Sequence, residues 1–245
     1  DGVLQKVAVA GSENIPFNLA LLLDLSGSTR TERAPMKEAA RRFIGIARPQ
    51  DRVAVYALAS DLFYVVSPLT EDRRRLLDLV DAIPEVAGST PLYAAVASSY
   101  AEEFARRPQE RNALIVISDG IYSAFDQPAS ALGDWTTFAM LRRATPKMSM
   151  LIYPILLGSE NIFYGERARK RMEELASLTG GRLFSARSIR DLEPVYAQVA
   201  DELSTVYSVA YYPRNQNFDG AFRRVEVKVK RAGARLRTRS GYAAW

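Results

Sequence analysis

Cysteine and histidine are both missing from the 245 residues. Their absence removes Ser-His-Asp triads, cysteine nucleophiles, ordinary zinc sites and any disulfide framework. Any chemistry must therefore come from carboxylates, hydroxyls, Lys, Arg, Tyr or a bound metal. A chain without cysteine suits a reducing cytosol and an oxidising exterior equally, so compartment is not read from it. Long apolar runs are missing too. Leu19 to Leu23 is cut at Asp24, far short of the ~20 residues that span a bilayer, and no transmembrane segment is expected. Asp1-Gly2-Val3 offers no initiating Met and no signal-like start, which leads one to expect upstream sequence and leaves export unread.

Acidic residues are scarce in one stretch. From Gly220 to Trp245 the cations Arg223, Arg224, Lys228, Lys230, Arg231, Arg235, Arg237 and Arg239 face a single anion, Glu226, so the net charge of +5 belongs to the tail and the rest is close to neutral. With 48% apolar residues, the chain has material for one well-buried α/β domain and a small appended sheet.

From residue 17 to about 205, strand-like and helix-like segments alternate. Phe17 to Leu23, Arg111 to Ser118 and Met148 to Leu157 are apolar runs suited to strands buried on both faces. Arg52 to Leu58 and Leu62 to Val66 read as an antiparallel hairpin across Ser60-Asp61. Helices are expected over Met36–Ala47, from Thr70-Glu71-Asp72 through Val80, over Leu92–Ala105 behind Pro91, over Ala131–Ala144, over Ala168–Leu178 and from Arg190 to about Tyr207. Thr179-Gly180-Gly181 stops the fifth of these, before a short strand at Arg182–Ser185. Arg73-Arg74-Arg75 reads as the wet side of its helix. The fold class is α/β: a doubly wound, mostly parallel central sheet with one antiparallel edge strand and helices on both faces. The tail breaks the rhythm. Val209–Tyr212, Phe222–Lys230 and Ala234–Ser240 read as antiparallel strands, the last two joined by a turn at Ala232-Gly233, with Val3–Ala10 as a candidate addition. In Val225, Val227 and Val229 the valines share one face, expected to pack on the body.

Three separated pieces place oxygen-bearing side chains where buried strands end: Asp24, Ser26 and Ser28 in Asp24-Leu25-Ser26-Gly27-Ser28; Thr90 in Gly88-Ser89-Thr90; and Asp119 in Asp119-Gly120. A parallel sheet gathers its strand ends along one edge, where ligands bind. The donor set is all hydroxyl and carboxylate, which suits a hard cation such as Mg²⁺, with Mn²⁺ or Ca²⁺ as alternatives. With Ser26, Ser28 and Thr90 as direct ligands and the two aspartates acting through water, the protein's share of the shell is neutral, and the ion remains electrophilic toward an outside carboxylate.

This Asp-x-Ser-x-Ser, distant Thr and distant Asp resemble the metal-ion-dependent adhesion site of von Willebrand factor A-type domains, including integrin I domains. The opening Asp1-Gly2-Val3-Leu4-Gln5-Lys6 and the close from Phe222-Arg223-Arg224-Val225 to Arg239-Ser240-Gly241-Tyr242 further resemble a bacterial von Willebrand A-related group described from Acidobacteria. The resemblance implies a metal site at Asp24, Ser26, Ser28, Thr90 and Asp119, with the domain over 17–207, an N-terminal strand and linker over 1–16, and an antiparallel β extension over 208–245. It also implies an extracellular or cell-envelope setting. Thr29-Arg30 and Ile121-Tyr122 depart from the family's usual residues; Arg30 is read as a cation that either holds an acidic ligand or weakens the metal.

The leading functional expectation is a non-enzymatic module whose Mg²⁺ captures an Asp or Glu side chain of a protein partner. The alternatives are a hydrolase of the haloacid dehalogenase type, which needs a second carboxylate where Ser26 stands, and a scaffold that leaves the site unused. Arg30, Tyr93 and Tyr122 are candidate partner-binding residues at the rim, the two tyrosines being equally readable as packing. The basic tail reads as solvated edge strands whose cations resist aggregation, and no nucleic acid is expected because no aromatics interleave on its cationic face.

Overall fold

The computed structural model describes residues 2–11, 15–25, 33–59, 62–84, 92–118, 138–157, 162–188, 191–234 and 236–244. Its body is a six-stranded sheet of β2 (Phe17–Asp24), β3 (Arg52–Ala59), β4 (Leu62–Thr70), β5 (Arg111–Ser118), β6 (Leu151–Leu157) and β7 (Phe184–Ala186). The order across the sheet is β4-β3-β2-β5-β6-β7. Every pair is parallel except β3–β4, the expected antiparallel edge. This is the doubly wound arrangement read from the sequence.

All eight residues of β2 are buried, because its side chains alternate between two separate apolar layers. Leu19, Leu21 and Leu23 meet α1 (Arg33–Ile46), α2 (Arg73–Asp81) and α6 (Leu192–Ser204) on one face. Ala20 and Leu22 meet α3 (Leu92–Ser99), α4 (Phe138–Ala144) and α5 (Ile162–Thr179) on the other. Each fully buried leucine contributes about 2 kcal/mol relative to an exposed one.

Local signals set two of the helix ends. Asp72 caps α2 by accepting a hydrogen bond from Arg75 N–H at 3.0 Å. At the end of α5, Gly180 takes φ of +86°, and Gly181 N–H reaches back to the Ala176 carbonyl at 2.9 Å. Gly181 has a second reason: a Cβ there would lie 2.1 Å from the Ile152 carbonyl oxygen. The helix expected over Leu92–Ala105 changes character at Tyr100–Phe104, a π turn. Within it, the buried Glu103 accepts from Leu69 N–H at 3.0 Å and pairs with Arg107 at 3.2 Å.

The N-terminal edge of the sheet carries a dense polar network. Asp51, almost fully buried, accepts hydrogen bonds from Phe17 N–H at 2.8 Å, from Arg48 N–H at 3.1 Å and from the Arg48 guanidinium. Asn18 donates to Glu110 at 2.9 Å and to Asn112 at 2.8 Å, and accepts from Arg52. The Asn18 amide, with Arg52 beside it, holds the Glu110 carboxyl below its ordinary value. Arg73 departs from its expected place in water: its guanidinium donates to the Arg48 and Asp51 carbonyls, since the helix start lies over that loop, while Arg74 and Arg75 stay exposed.

The termini build two further ribbons. β1 (Val7–Gly11) pairs antiparallel with β8 (Ser208–Tyr211), and β9 (Phe222–Arg224) with β10 (Gly241–Ala243). The turn at Ala232-Gly233 is made, with Gly233 at φ +74°. The long hairpin it was expected to close is corrected: among the described residues only its base is laddered, continued by Val225 N–H to the Ser240 carbonyl at 3.1 Å. The valine face explains the difference, because Val225 and Val227 are half-buried while Val229 is 50% exposed, so the tip has no body to pack on. Arg111 secures the crossings into the first ribbon. It donates to the Ile15 carbonyl at 3.1 Å and the Val206 carbonyl at 2.8 Å, with its guanidinium 4.1 Å from the Phe17 ring centre.

Candidate functional site

Asp24 is the last residue of β2 and has no exposed surface. The register that sets Leu23 beside Ile117 brings the next residues, Asp24 and Ser118, together at the C-terminal ends of β2 and β5. There the Ser118 hydroxyl donates to Asp24 Oδ2 at 2.6 Å. These strands flank the point where the chain, having wound outward through β3 and β4, returns to the other side of β2. In open α/β sheets such a switch point opens the crevice in which ligands bind. A carboxylate without access to bulk water is costly unless hydrogen bonds and counter-charge compensate it. The Ser118 contact orients Asp24 with a neutral donor.

Leu25, which follows, is buried and anchored by its N–H to the Leu58 carbonyl at 2.9 Å. The chain thus leaves β2 along β3, heading into the segment that contains Ser26 and Ser28. Ser26, Ser28, Arg30, Thr90, Asp119 and Tyr122 lie outside the described residues. Asp24 and Tyr93 lie within them. Ser118, which the sequence reading passed over, is a further member of the site; its signal was its place immediately before Asp119 on a strand read as neighbouring β2.

Tyr93 is a core residue rather than an exposed rim aromatic, with 2% of its surface accessible. Its position in the first turn of α3 turns the ring inward, 5.5 Å from Phe138 at the start of α4. Arg171 of α5 lies over both rings, at 5.9 and 5.2 Å, and donates to the Tyr93 hydroxyl at 3.3 Å. Burial raises the Tyr93 phenol above its ordinary value, and Arg171 opposes the shift. The three helices of this face thereby meet at one cation that lies over two rings.

The donor chemistry of the set is oxygen alone, and the described member, a buried carboxylate held by a serine hydroxyl, fits a hard divalent cation. Among the described residues no three acidic side chains converge, so a high-charge carboxylate cage is not what this part of the chain builds.

Comparison with known proteins agrees with the topology. The profile of the von Willebrand factor type A domain matches residues 19–121, spanning Asp24 through Asp119. A UPF0353 protein of Mycobacterium avium is 26% identical over 228 residues, 82% of this chain and 67% of that one. Among solved structures, a von Willebrand factor type A protein from Catenulispora acidiphila superposes with a TM-score of 0.61 at 18% identity, over 78% of this chain and 43% of that one. The pilus adhesin SpaC from Lactobacillus rhamnosus GG superposes with a TM-score of 0.59 at 12% identity, over 78% of this chain and 30% of that one. This chain thus spans less than half of each of these two structures. Sheet order, switch point and profile together define its body as a von Willebrand factor type A fold. No helix among the described residues is long and apolar enough to cross a membrane.

Proposed function

We propose that the chain is a non-enzymatic protein-binding module in which Asp24, Ser26, Ser28, Thr90 and Asp119 hold a divalent cation, Mg²⁺ by preference, that captures an Asp or Glu side chain of a partner. The observation that carries this reading is the buried Asp24 carboxylate at the switch point, oriented by Ser118 at 2.6 Å and followed in sequence by Ser26 and Ser28. The bound ion would supply a positive charge with one position left for a ligand oxygen. The chain's own contribution is the rest: hydroxyls that add no charge, a carboxylate fixed by a hydrogen bond, and apolar strands beneath that keep water from competing. The likeness to a pilus adhesin supports an adhesive role in an extracellular or envelope setting, and Arg30 would help attract an acidic ligand. Ser26, where a phosphatase would need its second carboxylate, argues against hydrolysis.

Millimolar Mg²⁺ or Mn²⁺ is expected to raise the melting temperature, since an ion that binds only the folded state stabilises it, by about 2.7 kcal/mol at a hundredfold excess over Kd. Ser26→Ala and Asp119→Ala are expected to remove that rise and the metal-dependent capture of an acidic peptide. A melting temperature indifferent to metal and chelator would overturn the proposal.

A further inference from the structure

The two terminal ribbons lie at the end of the sheet opposite Asp24. Phe17 begins β2 where Arg111 clasps Ile15 and Val206, and the seven steps to Asp24 span about 23 Å at strand spacing. The ribbons are joined to one another and to the body: the Tyr211 hydroxyl meets that of Tyr242 at 3.2 Å, and Arg239 donates to the Pro146 carbonyl at 2.9 Å. They form a placed surface.

Its composition is unlike that of the body. Among the described residues, the large apolar side chains left exposed within 17–206 are Ile46, Leu62, Val65 and Met140. All the others, Leu4, Val7, Val9, Val209 and Tyr212 among them, lie before residue 16 or after 206. Exposed apolar side chains scattered singly need no explanation, whereas a concentration on one small sheet does. The β1–β8 pair is a sheet of two strands, so each strand has one edge without a ladder partner among the described residues. A two-stranded ribbon is marginal alone, and a third strand would stabilise it. Exposed cations flank it: Lys6 directly before β1, and Arg214, three residues after β8, whose N–H donates to Gln5 Oε1 at 3.0 Å.

We propose that the β1–β8 edge, with the cations around it, is a docking surface for an extended acidic segment of another polypeptide, which adds as a strand and alternates acidic with apolar side chains. The open edge asks for main-chain donors and acceptors, Val209, which shares a face with Tyr211 and its cross-strand partner Val7, asks for apolar side chains on that face, and the cations ask for carboxylates. A second copy of this chain would set one basic tail against another. An anionic lipid surface would answer the cations and leave the strand edge unmatched. The surface is separate from the metal site and independent of it.

The probe is a short labelled peptide of alternating Glu and Val, with its Lys–Val counterpart as control, added to the full chain in chelator. Fluorescence anisotropy is expected to show binding of the Glu–Val peptide alone, weakening as salt is raised. Hydrogen exchange is expected to slow several-fold in residues 7–11 or 208–211. Lys6→Glu with Arg214→Glu should weaken binding about tenfold, and Val209→Glu at least as much, with melting temperatures unchanged because these side chains are exposed. No binding, equal binding of the Lys–Val peptide, binding without protection of either strand, or indifference to these substitutions would each overturn the proposal. So would phosphatidylserine vesicles that bind the chain in place of the peptide. Because chelator is present throughout, failure of the metal site leaves this result unaffected.

Discussion

The two edges of the central sheet handle buried polar groups in opposite ways. At the N-terminal edge Asp51, Asn18, Asn112, Arg48, Arg52 and Glu110 satisfy one another and the backbone, so that end is closed upon itself. At the C-terminal edge a carboxylate is buried just as deeply, and the Ser118 hydroxyl donates to it at the very end of the neighbouring strand. The same six strands thus present a polar network far from the switch point and a buried carboxylate at it. A polar network completed within the protein adds stability, while on the proposed function the carboxylate at the switch point would give up some stability for binding.

Asp51→Ala tests the fastened end and has the largest expected effect. It strips acceptors from Phe17 N–H and Arg48 and should cost about 3 kcal/mol in chemical denaturation, with metal making no difference to the loss. Asp24→Asn tests the other end. In chelator it should cost less than Asp51→Ala, because asparagine keeps an oxygen that can accept from the Ser118 hydroxyl, whereas the metal-induced rise in melting temperature should vanish. Asp24→Asn that destabilises as severely as Asp51→Ala would collapse the contrast between the edges. Ser118→Ala should leave the fold intact and weaken metal binding about tenfold by calorimetry, as loss of an orienting contact does.

The smallest effect concerns the ribbons beyond the fastened edge. Burial, together with the hydrogen bond to Tyr242, pushes the Tyr211 phenol up to about 12. A folded-state value above the unfolded one near 10 means that the contact stabilises fully below about pH 10 and is lost as pH climbs toward 12. Proteolysis of the ribbons should therefore accelerate between those limits, well before the body unfolds. Tyr211→Phe should flatten that profile, and a profile unchanged by the substitution would detach the ribbons' stability from this pair.

The apolar runs at Phe17–Leu23 and Arg111–Ser118 announced doubly buried parallel strands because only a strand covered on both faces can use every residue as a hydrophobe. Asp24 stood out because it ended such a run. Ser118 did not: its place before Asp119 is visible in the sequence, but only the β2–β5 register sets its hydroxyl against Asp24. Tyr93 was equally ambiguous: helical position alone does not say whether an aromatic in a first turn faces a ligand or the core, and the choice fell to Phe138 and Arg171, far away in sequence. In sequence Arg73 reads as a solvated cation, because its run of three arginines matches a wet helix face, yet the carbonyls of a distant loop claim it. In the tail, the strand expected over Phe222–Lys230 forms only at Phe222–Arg224; the alternation of Val and cations that follows is not laddered, because periodicity cannot report whether a body lies beneath it.

Composition and pattern alone determined the chemistry available to this protein, the alternation of strands and helices, and the oxygen-only character of the candidate ligands, since these follow from residue type and local period. Only the tertiary structure decided strand order, the meeting of Asp24 with Ser118, the interior placement of Tyr93 and the attachment of both termini to the far edge. Those depend on which distant segments become neighbours, and pairing across a sheet is settled by packing and register that no local stretch of sequence contains.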